Sequence, residues 1–157
     1  MTDRPEIQNS VMTGPYKTNY LEQGEGYPLV FIHGSGPGVS AYANWRLAIP
    51  EIAKVAHCYA PDMLGFGYSD KPMDVKYGCE LWTQQIVDFL DALGLEKVDL
   101  VGNSFGGSLA LSMAVNHPDR IRKLVMMGPM GISFDCKSVG LNDVWGYKPS
   151  PENMLKM

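Results

Sequence analysis

Seven consecutive residues, 101–107, have the types and spacing that nucleophilic catalysis by a serine requires. They read V-G-N-S-F-G-G and place Ser104 between two glycines in a G-x-S-x-G pattern. An apolar run, 98–101, precedes them and a helix-forming run of small residues, 108–115, follows. This order predicts a strand, a tight turn and a helix. We call the corner between the strand and the helix, residues 101–107, the elbow. A serine on so tight a turn has strained backbone geometry that lifts its hydroxyl clear of the sheet.

The elbow also contains groups that can stabilise the negative charge created when a serine attacks a carbonyl group. The backbone N–H of Phe105 lies at the start of the helix, where the positive end of the helix dipole adds to its effect. Positions 102 and 106 are expected to require glycine, because a Cβ at either one would crowd the Ser104 side chain. The alternative interpretation is an ordinary Gly-rich turn in which Ser104 is only a helix N-cap.

The elements around this motif alternate between strands and helices. Strands are predicted at residues 16–21, 28–32, 58–60, 98–101 and 124–127, and the run 28–32 is apolar enough to be buried on both faces, as is 124–127. Helices are predicted at residues 41–55, interrupted at Pro50, at 80–93, and from 108 to 116. Residues 1–12 are interpreted as a polar arm. Strands that alternate with helices predict an α/β protein with a mostly parallel sheet and helices on both faces.

Composition narrows the function classes. The 157 residues are 45% hydrophobic and 19% charged, enough for one core, and the net charge of −4 gives no reason to expect nucleic acid or an anionic membrane as a partner. The three cysteines have no C-x-x-C spacing and the three histidines no ligand spacing, so neither a disulfide framework nor a metal site is predicted. No signal peptide or membrane span is visible, and we expect a cytoplasmic protein.

Three segments carry a resemblance to a known family. They are H-G-S-G-P-G at 33–38, D-M-L-G-F-G-Y-S at 62–69 and G-N-S-F-G-G at 102–107. Together they resemble the α/β-hydrolase fold from about residue 16 onward. Within it the chain is most similar to the meta-cleavage product hydrolases, C–C bond hydrolases of bacterial aromatic-ring degradation. Residues 33–45 and the stretch V-W-G-Y-K-P-S-P-E-N-M at 144–154 look like theirs.

The resemblance implies a reaction and a set of site residues. Ser104 is the nucleophile, and the backbone N–H groups of Ser35 and Phe105 form the oxyanion hole. The resemblance also implies that Asn44 and Asn103 bind the polar end of a small-molecule dienoate. From the residues alone, both could face one cleft, or Asn44 could instead cap or order the following helix. The reaction is hydrolysis of a ring-fission product of the 2-hydroxy-6-oxo-hexa-2,4-dienoate type, with no cofactor and no metal. The family also implies a homo-oligomer.

The chain departs from this family in its catalytic base and acid. Such folds place an aspartate and then a histidine after the nucleophile, but the one later histidine, His117, is expected at the opposite end of the sheet. His33 is expected to be structural, and His57 precedes a strand. The carboxylates Asp119, Asp135 and Asp143 therefore have no histidine to orient, and the triad aspartate and histidine are absent from this chain.

The resemblance also predicts how the chain is divided. Residues 1–140 would form the N-terminal part of the hydrolase core, and 141–157 the start of a cap whose first helix is 150–157. The expectation is a chain truncated before the cap and the last strands, and inactive by itself. A generic serine esterase and a non-catalytic half-domain remain as alternatives. The acyl fragment of the substrate is left open, because cap residues line that side of the pocket.

Overall fold

The computed structural model describes residues 4–130, which form a six-stranded sheet with helices on both faces. The strands are β1 (Asn9–Thr13), β2 (Tyr16–Gln23), β3 (Pro28–Ile32), β4 (His57–Pro61), β5 (Val98–Asn103) and β6 (Ile121–Met127). The helices are α1 (Ala41–Trp45), α2 (Ile49–Ile52), α3 (Cys79–Ala92) and α4 (Phe105–Asn116), with a 3₁₀ turn at Pro118–Arg120. The strand order is β1-β2-β4-β3-β5-β6. The predicted α/β class is confirmed.

Strands β3, β4, β5 and β6 make up the parallel part of the sheet. β3 pairs in parallel with β4 on one side and with β5 on the other, and β5 continues the parallel pairing to β6. Parallel neighbours need crossover connections, which α1 and α2, α3, and α4 supply. The carboxyl ends of these strands therefore meet at one edge of the sheet, where ligands of open α/β sheets bind. β3 leads there into loop 33–38, and β5 leads into Ser104.

The two faces of β3 are both covered, as its apolar run predicts. Val30 and Ile32 pack in a cluster with α3 and α4, whereas Phe31 packs in a second cluster with α1 and α2. Successive side chains of a strand point to opposite faces, so the two clusters lie on opposite sides of the sheet. Phe31 is 1% exposed, with its ring centroid 5.1 Å from that of Trp45. Burial of such a side chain contributes about 1.5–3 kcal/mol.

A strand, β1, lies where the sequence predicts a polar arm, and that prediction was wrong. β1 pairs antiparallel with β2 along its whole length. Gly14 and Pro15 join the two strands, and Gly14 has φ 58°, a conformation that glycine adopts without steric cost. Val11 packs against the core and Thr13 is buried, where its hydroxyl lies 2.7 Å from that of Thr18. This strand is held mainly by its hydrogen bonds to β2 and little by burial of apolar side chains. Its sequence therefore has too weak an apolar pattern to predict a strand.

The predicted helix over residues 41–55 is two short helices, and the break was misplaced. α1 ends at Trp45 and α2 begins at Ile49, so the chain leaves the helical path before Pro50. Pro50 lies in the first turn of α2. A proline is tolerated there because its missing N–H would have had no helical partner.

β6 is longer and more exposed than the predicted buried strand at 124–127, and the prediction of burial was wrong. It lies at the outer edge of the sheet among the described residues. Leu124 packs against the core beneath α4, but Val125 and Met127 are 52% and 49% exposed. On their side of the sheet, α1 contacts β2, β3 and β4. The outer part of that face therefore carries exposed apolar side chains.

The remaining predictions concern the cap segment, membrane spans and the cysteines. The predicted start of a cap at 141–157, with its helix at 150–157, lies outside the described part of the chain, as do Asp135 and Asp143. Between residues 4 and 130, no helix combines the length and apolar character needed to cross a membrane. Cys58 is a buried free thiol and Cys79 an exposed one.

Candidate active site

Ser104 occupies the sharp corner between β5 and α4. Its φ of 53° and ψ of −116° make it the one residue other than glycine with positive φ in the described part of the chain. Such a conformation costs roughly 1–3 kcal/mol and persists only where surrounding contacts impose it. The Ser104 N–H donates to the carbonyl of Met127 in β6 at 2.7 Å, and its own carbonyl accepts the N–H of Gly107 at 2.9 Å. The strained corner that the sequence predicts is confirmed.

The glycines of the elbow are required for a reason different from the predicted one. A Cβ at Gly102 would lie 2.2 Å from the carbonyl oxygen of Gly106, in the first turn of α4. A Cβ at Gly106 would lie 2.3 Å from the carbonyl oxygen of Ile32, at the end of β3. The obstacles are backbone atoms and not the Ser104 side chain. Glycine at these two positions lets α4 lie directly against the ends of β5 and β3.

The loop after β3 packs against the elbow. A Cβ built at Gly34 would be 3.6 Å from Cβ of Ser104 and 3.3 Å from Nδ2 of Asn103. Ser35, the next residue, is exposed. Phe105 is the first residue of α4, so its N–H has no partner within the helix. Both predicted oxyanion donors thus belong to segments that meet at Ser104, and their role as donors stays a prediction.

The two predicted substrate-binding residues, Asn44 and Asn103, lie together. Nδ2 of Asn103 donates to Oδ1 of Asn44 at 3.1 Å, and the N–H of Gly34 donates to the same oxygen at 2.7 Å. Both side chains are half-buried. Asn44 is a residue of α1, but it is Ser40 whose side chain caps that helix by accepting the Ala43 N–H. The Asn44 side chain therefore joins the loop to the elbow and does not cap the helix.

His33 is a buried structural residue, as expected. Its Nδ1 lies 2.6 Å from the Gly34 carbonyl oxygen, and its Nε2 accepts the N–H of Met63 at 2.9 Å. Because a backbone N–H can only donate, Nε2 is the unprotonated nitrogen and Nδ1 carries the proton. Burial lowers the pKa of His33, against the smaller opposing effects of the Gly34 carbonyl and the Asp62 carboxylate. This neutral imidazole has no nitrogen available for the Ser104 proton.

The other two histidines lie far from Ser104. His57 begins β4, at the amino end of the parallel strands, and its Nε2 is 2.9 Å from Oε1 of Glu22. His117 follows α4, whose 12 residues place it about 18 Å from the elbow at 1.5 Å per residue. The described part of the chain therefore positions no histidine as a base for Ser104, and within residues 4–130 no three potential ligands lie together as in a metal site.

Asp62 is a buried carboxylate that the sequence analysis did not single out. It is 1% exposed. Its Oδ1 accepts the Ala41 N–H at 2.6 Å, while Oδ2 accepts Nδ2 of Asn19 at 2.9 Å and the Tyr68 N–H at 2.8 Å. A Cβ at Gly67 would lie 2.2 Å from Oδ2, so the loop can close over the carboxylate only with glycine there. The D-M-L-G-F-G-Y-S segment signalled a loop, but not this role.

An aromatic cluster fixes the side chain of Phe105 and was also missed. The ring of Trp82 lies edge-on to that of Phe105 at 4.6 Å between centroids, and the ring of Phe66 is 6.0 Å from it. Nε1 of Trp82 donates to the Leu64 carbonyl at 2.9 Å. Such aromatic pairs stabilise by about 0.5–1.5 kcal/mol beyond simple burial. They hold the first residue of α4, and with it the backbone N–H predicted to bind an oxyanion.

Two proteins of known function are similar to nearly the whole chain. A 2-hydroxymuconate semialdehyde hydrolase of Pseudomonas sp. (strain CF600) is 52% identical over 153 residues, which cover 98% of this chain and 54% of that protein. A 2-hydroxy-6-oxo-2,4-heptadienoate hydrolase of Pseudomonas putida is 49% identical and is covered to 55%, against 97% of this chain. The chain spans about half the length of the curated relatives that it matches.

The fold has the same relatives. A meta-cleavage product hydrolase from Pseudomonas fluorescens IP01 superposes with a TM-score of 0.83 at 49% identity, over 96% of this chain and 55% of that one. The sequence profile described as alpha/beta hydrolase fold matches residues 27–147. This span contains the loop after β3, the Asp62 loop and the whole elbow. The chain therefore belongs to the alpha/beta hydrolase fold family.

Proposed function

We propose that this chain carries the nucleophile and the oxyanion-binding loop of a serine-dependent hydrolase that cleaves a C–C bond in meta-ring-fission products. The observation that carries the proposal is the Asn44–Asn103 pair directly beside the strained Ser104. A serine corner alone would serve many acyl-transfer reactions. Two amide side chains at its edge favour a substrate with a polar end next to the scissile bond. The names of the relatives described above agree with such a substrate.

The hydrogen bonds of the pair determine what it offers to a ligand. The Gly34 N–H must meet an oxygen, which assigns Oδ1 of Asn44; that oxygen in turn must meet the Nδ2 end of Asn103. Among residues 4–130, this leaves Nδ2 of Asn44 as a donor without a partner and Oδ1 of Asn103 as an acceptor without one. One donor and one acceptor complement the carboxylate and the 2-hydroxyl of a 2-hydroxydienoate. An ester without these groups would use neither.

The proposed reaction is hydrolysis of the ketone that follows the dienoate. Ketonisation of the dienol first turns the departing fragment into a stabilised leaving group. Ser104 then attacks the ketone carbonyl as a general base takes its proton, and the oxyanion is held by the N–H groups of Ser35 and Phe105. The C–C bond breaks as its electrons pass into the dienolate, which takes up that proton. Water releases the acyl group from Ser104 as a carboxylic acid, and the other product is a 2-hydroxypentadienoate.

The setting proposed for this activity follows the family. We propose a homo-oligomeric protein that acts on a small molecule in the cytoplasm. The net charge of −4 agrees with a partner that is neither nucleic acid nor an anionic membrane surface.

The role of Ser104 is tested by Ser104→Ala in the complete gene product. Turnover of a yellow ring-fission product, followed by its visible absorbance, should fall by at least about a thousandfold because the nucleophile is removed. Substrate binding, followed by the spectrum of the bound dienoate, should change little since the pocket is kept. Ser10→Ala, an exposed serine on β1, serves as the control and should behave as the wild type. A near-wild-type kcat in Ser104→Ala would contradict the assignment.

The dienoate is distinguished from a simple ester by Asn103→Ala. This variant removes an acceptor predicted to meet the dienoate, so kcat/KM for the ring-fission product should fall by an amount equivalent to ~1–3 kcal/mol. Hydrolysis of 4-nitrophenyl acetate should fall much less. Equal losses on the two substrates would favour the generic esterase.

A further inference from the structure

Oδ1 of Asn44 lies at the junction of two segments, at Gly34 and Asn103, that are 69 residues apart in the chain. It accepts one hydrogen bond from the Gly34 N–H, at 2.7 Å, and one from the Asn103 amide, at 3.1 Å. Gly34 immediately precedes Ser35, and Asn103 immediately precedes Ser104. The oxygen therefore joins the neighbours of both reacting segments: the loop with one predicted oxyanion donor, and the elbow with the nucleophile and the other donor.

Asn44 is itself firmly placed. Its N–H donates to the Ser40 carbonyl at 3.0 Å within α1, and the Ser40 side chain caps the same helix. The Ala41 N–H is held by the carboxylate of Asp62 at 2.6 Å. A helix of five residues is not stable by its own hydrogen bonds. These anchors give α1 the fixed position from which Asn44 can hold the loop.

The loop needs this contact. Gly34 is buried, and Asn44 is the acceptor that its N–H has among the described residues. A buried backbone N–H without a partner is unfavourable, so loss of the Asn44 oxygen would let the loop open until water reaches that N–H. Opening would move the adjacent Ser35 N–H away from Ser104.

We infer that Asn44 is a positioning residue for the oxyanion hole, which sets the separation of the Ser35 and Phe105 N–H groups through its bond to Gly34. The inference rests on the proposed function in that Ser104 must be a nucleophile, but it is independent of the dienoate. Asn44 then affects every substrate whose attack creates an oxyanion. Asn103, which holds no main-chain group in the described residues, affects the polar substrate selectively.

The test is ester hydrolysis by Asn44→Ala in the complete gene product. With 4-nitrophenyl acetate, kcat should fall by about tenfold to a hundredfold, below the hundredfold to thousandfold loss of a whole oxyanion donor, while KM changes by less than about threefold. Asn116→Ala, an exposed asparagine at the end of α4, is the matched control and should leave kcat unchanged. An Asn44→Ala enzyme with wild-type kcat on the ester and a loss confined to the dienoate would overturn the inference.

Amide hydrogen exchange at Gly34, followed by NMR, measures the contact directly. Exchange should become about tenfold faster or more in Asn44→Ala, because the protecting bond is lost. Asn44→Asp keeps an acceptor oxygen and should keep slow exchange. Fast exchange in Asn44→Asp, or unchanged exchange in Asn44→Ala, would overturn the inference. If the wild type hydrolyses the ester but not the ring-fission product and these differences persist, the proposed function fails and the inference stands.

Discussion

Three polar side chains near the carboxyl ends of β3 and β4 make most of their hydrogen bonds to main-chain groups. His33 bonds to a carbonyl and an N–H, Asn44 accepts the Gly34 N–H, and Asp62 accepts two further backbone N–H groups. Each of these bonds fixes the path of a loop at the carboxyl edge of the sheet. A substitution here therefore acts first on backbone positions and only through them on chemistry. Such a side chain can affect the site without touching a substrate.

Buried His33 makes stability depend on pH. Its folded pKa is lowered, mainly by burial, so as the pH falls through the ordinary histidine value of about 6.5 the unfolded chain takes up a proton that the folded chain does not. The stability that depends on neutral His33 is therefore fully present above that pH and decreases below it. We expect the urea concentration at the midpoint of unfolding to decrease as the pH is lowered from 7.5 to 5.5.

The comparison variant is His33→Asn, which cannot titrate and should show a smaller decrease over the same range, although it is less stable at pH 7.5. His117→Asn leaves the buried imidazole in place and should keep the wild-type pH dependence. An unchanged dependence in His33→Asn would show that another group is responsible.

At the scale of elements, the junction of β5, α4 and β3 has no space to spare. Gly102 and Gly106 each face backbone atoms at a distance that no Cβ could occupy. The helix thereby lies close enough to the strands for its first N–H groups to reach the region beside Ser104. Backbone obstacles cannot move aside as the end of a side chain can.

Gly106→Ala should accordingly destabilise the fold by about 3 kcal/mol or more, since the added methyl must displace the end of β3. Gly78→Ala is the matched control: Gly78 has an extended φ of −178°, and a Cβ there would meet nothing within 4 Å. Thermal or urea unfolding of the two variants measures the difference. Equal stability of the two would mean that the junction relaxes readily.

The elements that sequence reasoning found and missed differ in what stabilises them. β3 and α3 were predicted because apolar periodicity reports burial directly. β1 was missed because pairing through a hairpin holds it. The apolar composition of β6 predicted a strand buried on both faces, because composition alone does not show that it lies at the edge of the described sheet. The elbow followed from local spacing, whereas Asp62 and the true role of Gly106 depend on contacts between distant segments. Such contacts leave no local pattern.

At the scale of the whole molecule, the described sheet is covered unevenly. α3 and α4 pack over one face, and on the other face α1 lies over β2, β3 and β4. Val125 and Met127 are left half exposed on β6, at the edge of the sheet. An edge strand with exposed apolar side chains is a template for association.

The 157-residue chain, expressed by itself, should therefore form oligomers or aggregates in light scattering. Val125→Lys should reduce this association, because a charge on an edge strand opposes pairing between sheets. Val55→Lys adds the same charge at a side chain that is 83% exposed and lies outside the strands, and it should have little effect. A monomeric wild-type chain, or equal effects of the two substitutions, would contradict the role of β6.

The carboxylate of Asp62 also has a consequence for the order of folding. Its three donors lie 43, 21 and 6 residues away along the chain, so they arrive from segments that must each find their place separately. If one were missing, the carboxylate would be enclosed with too few partners, which is more unfavourable than leaving it in water. Partly assembled states therefore remain hydrated at this point. The segments that shape the candidate site should close together, as one cooperative step of folding.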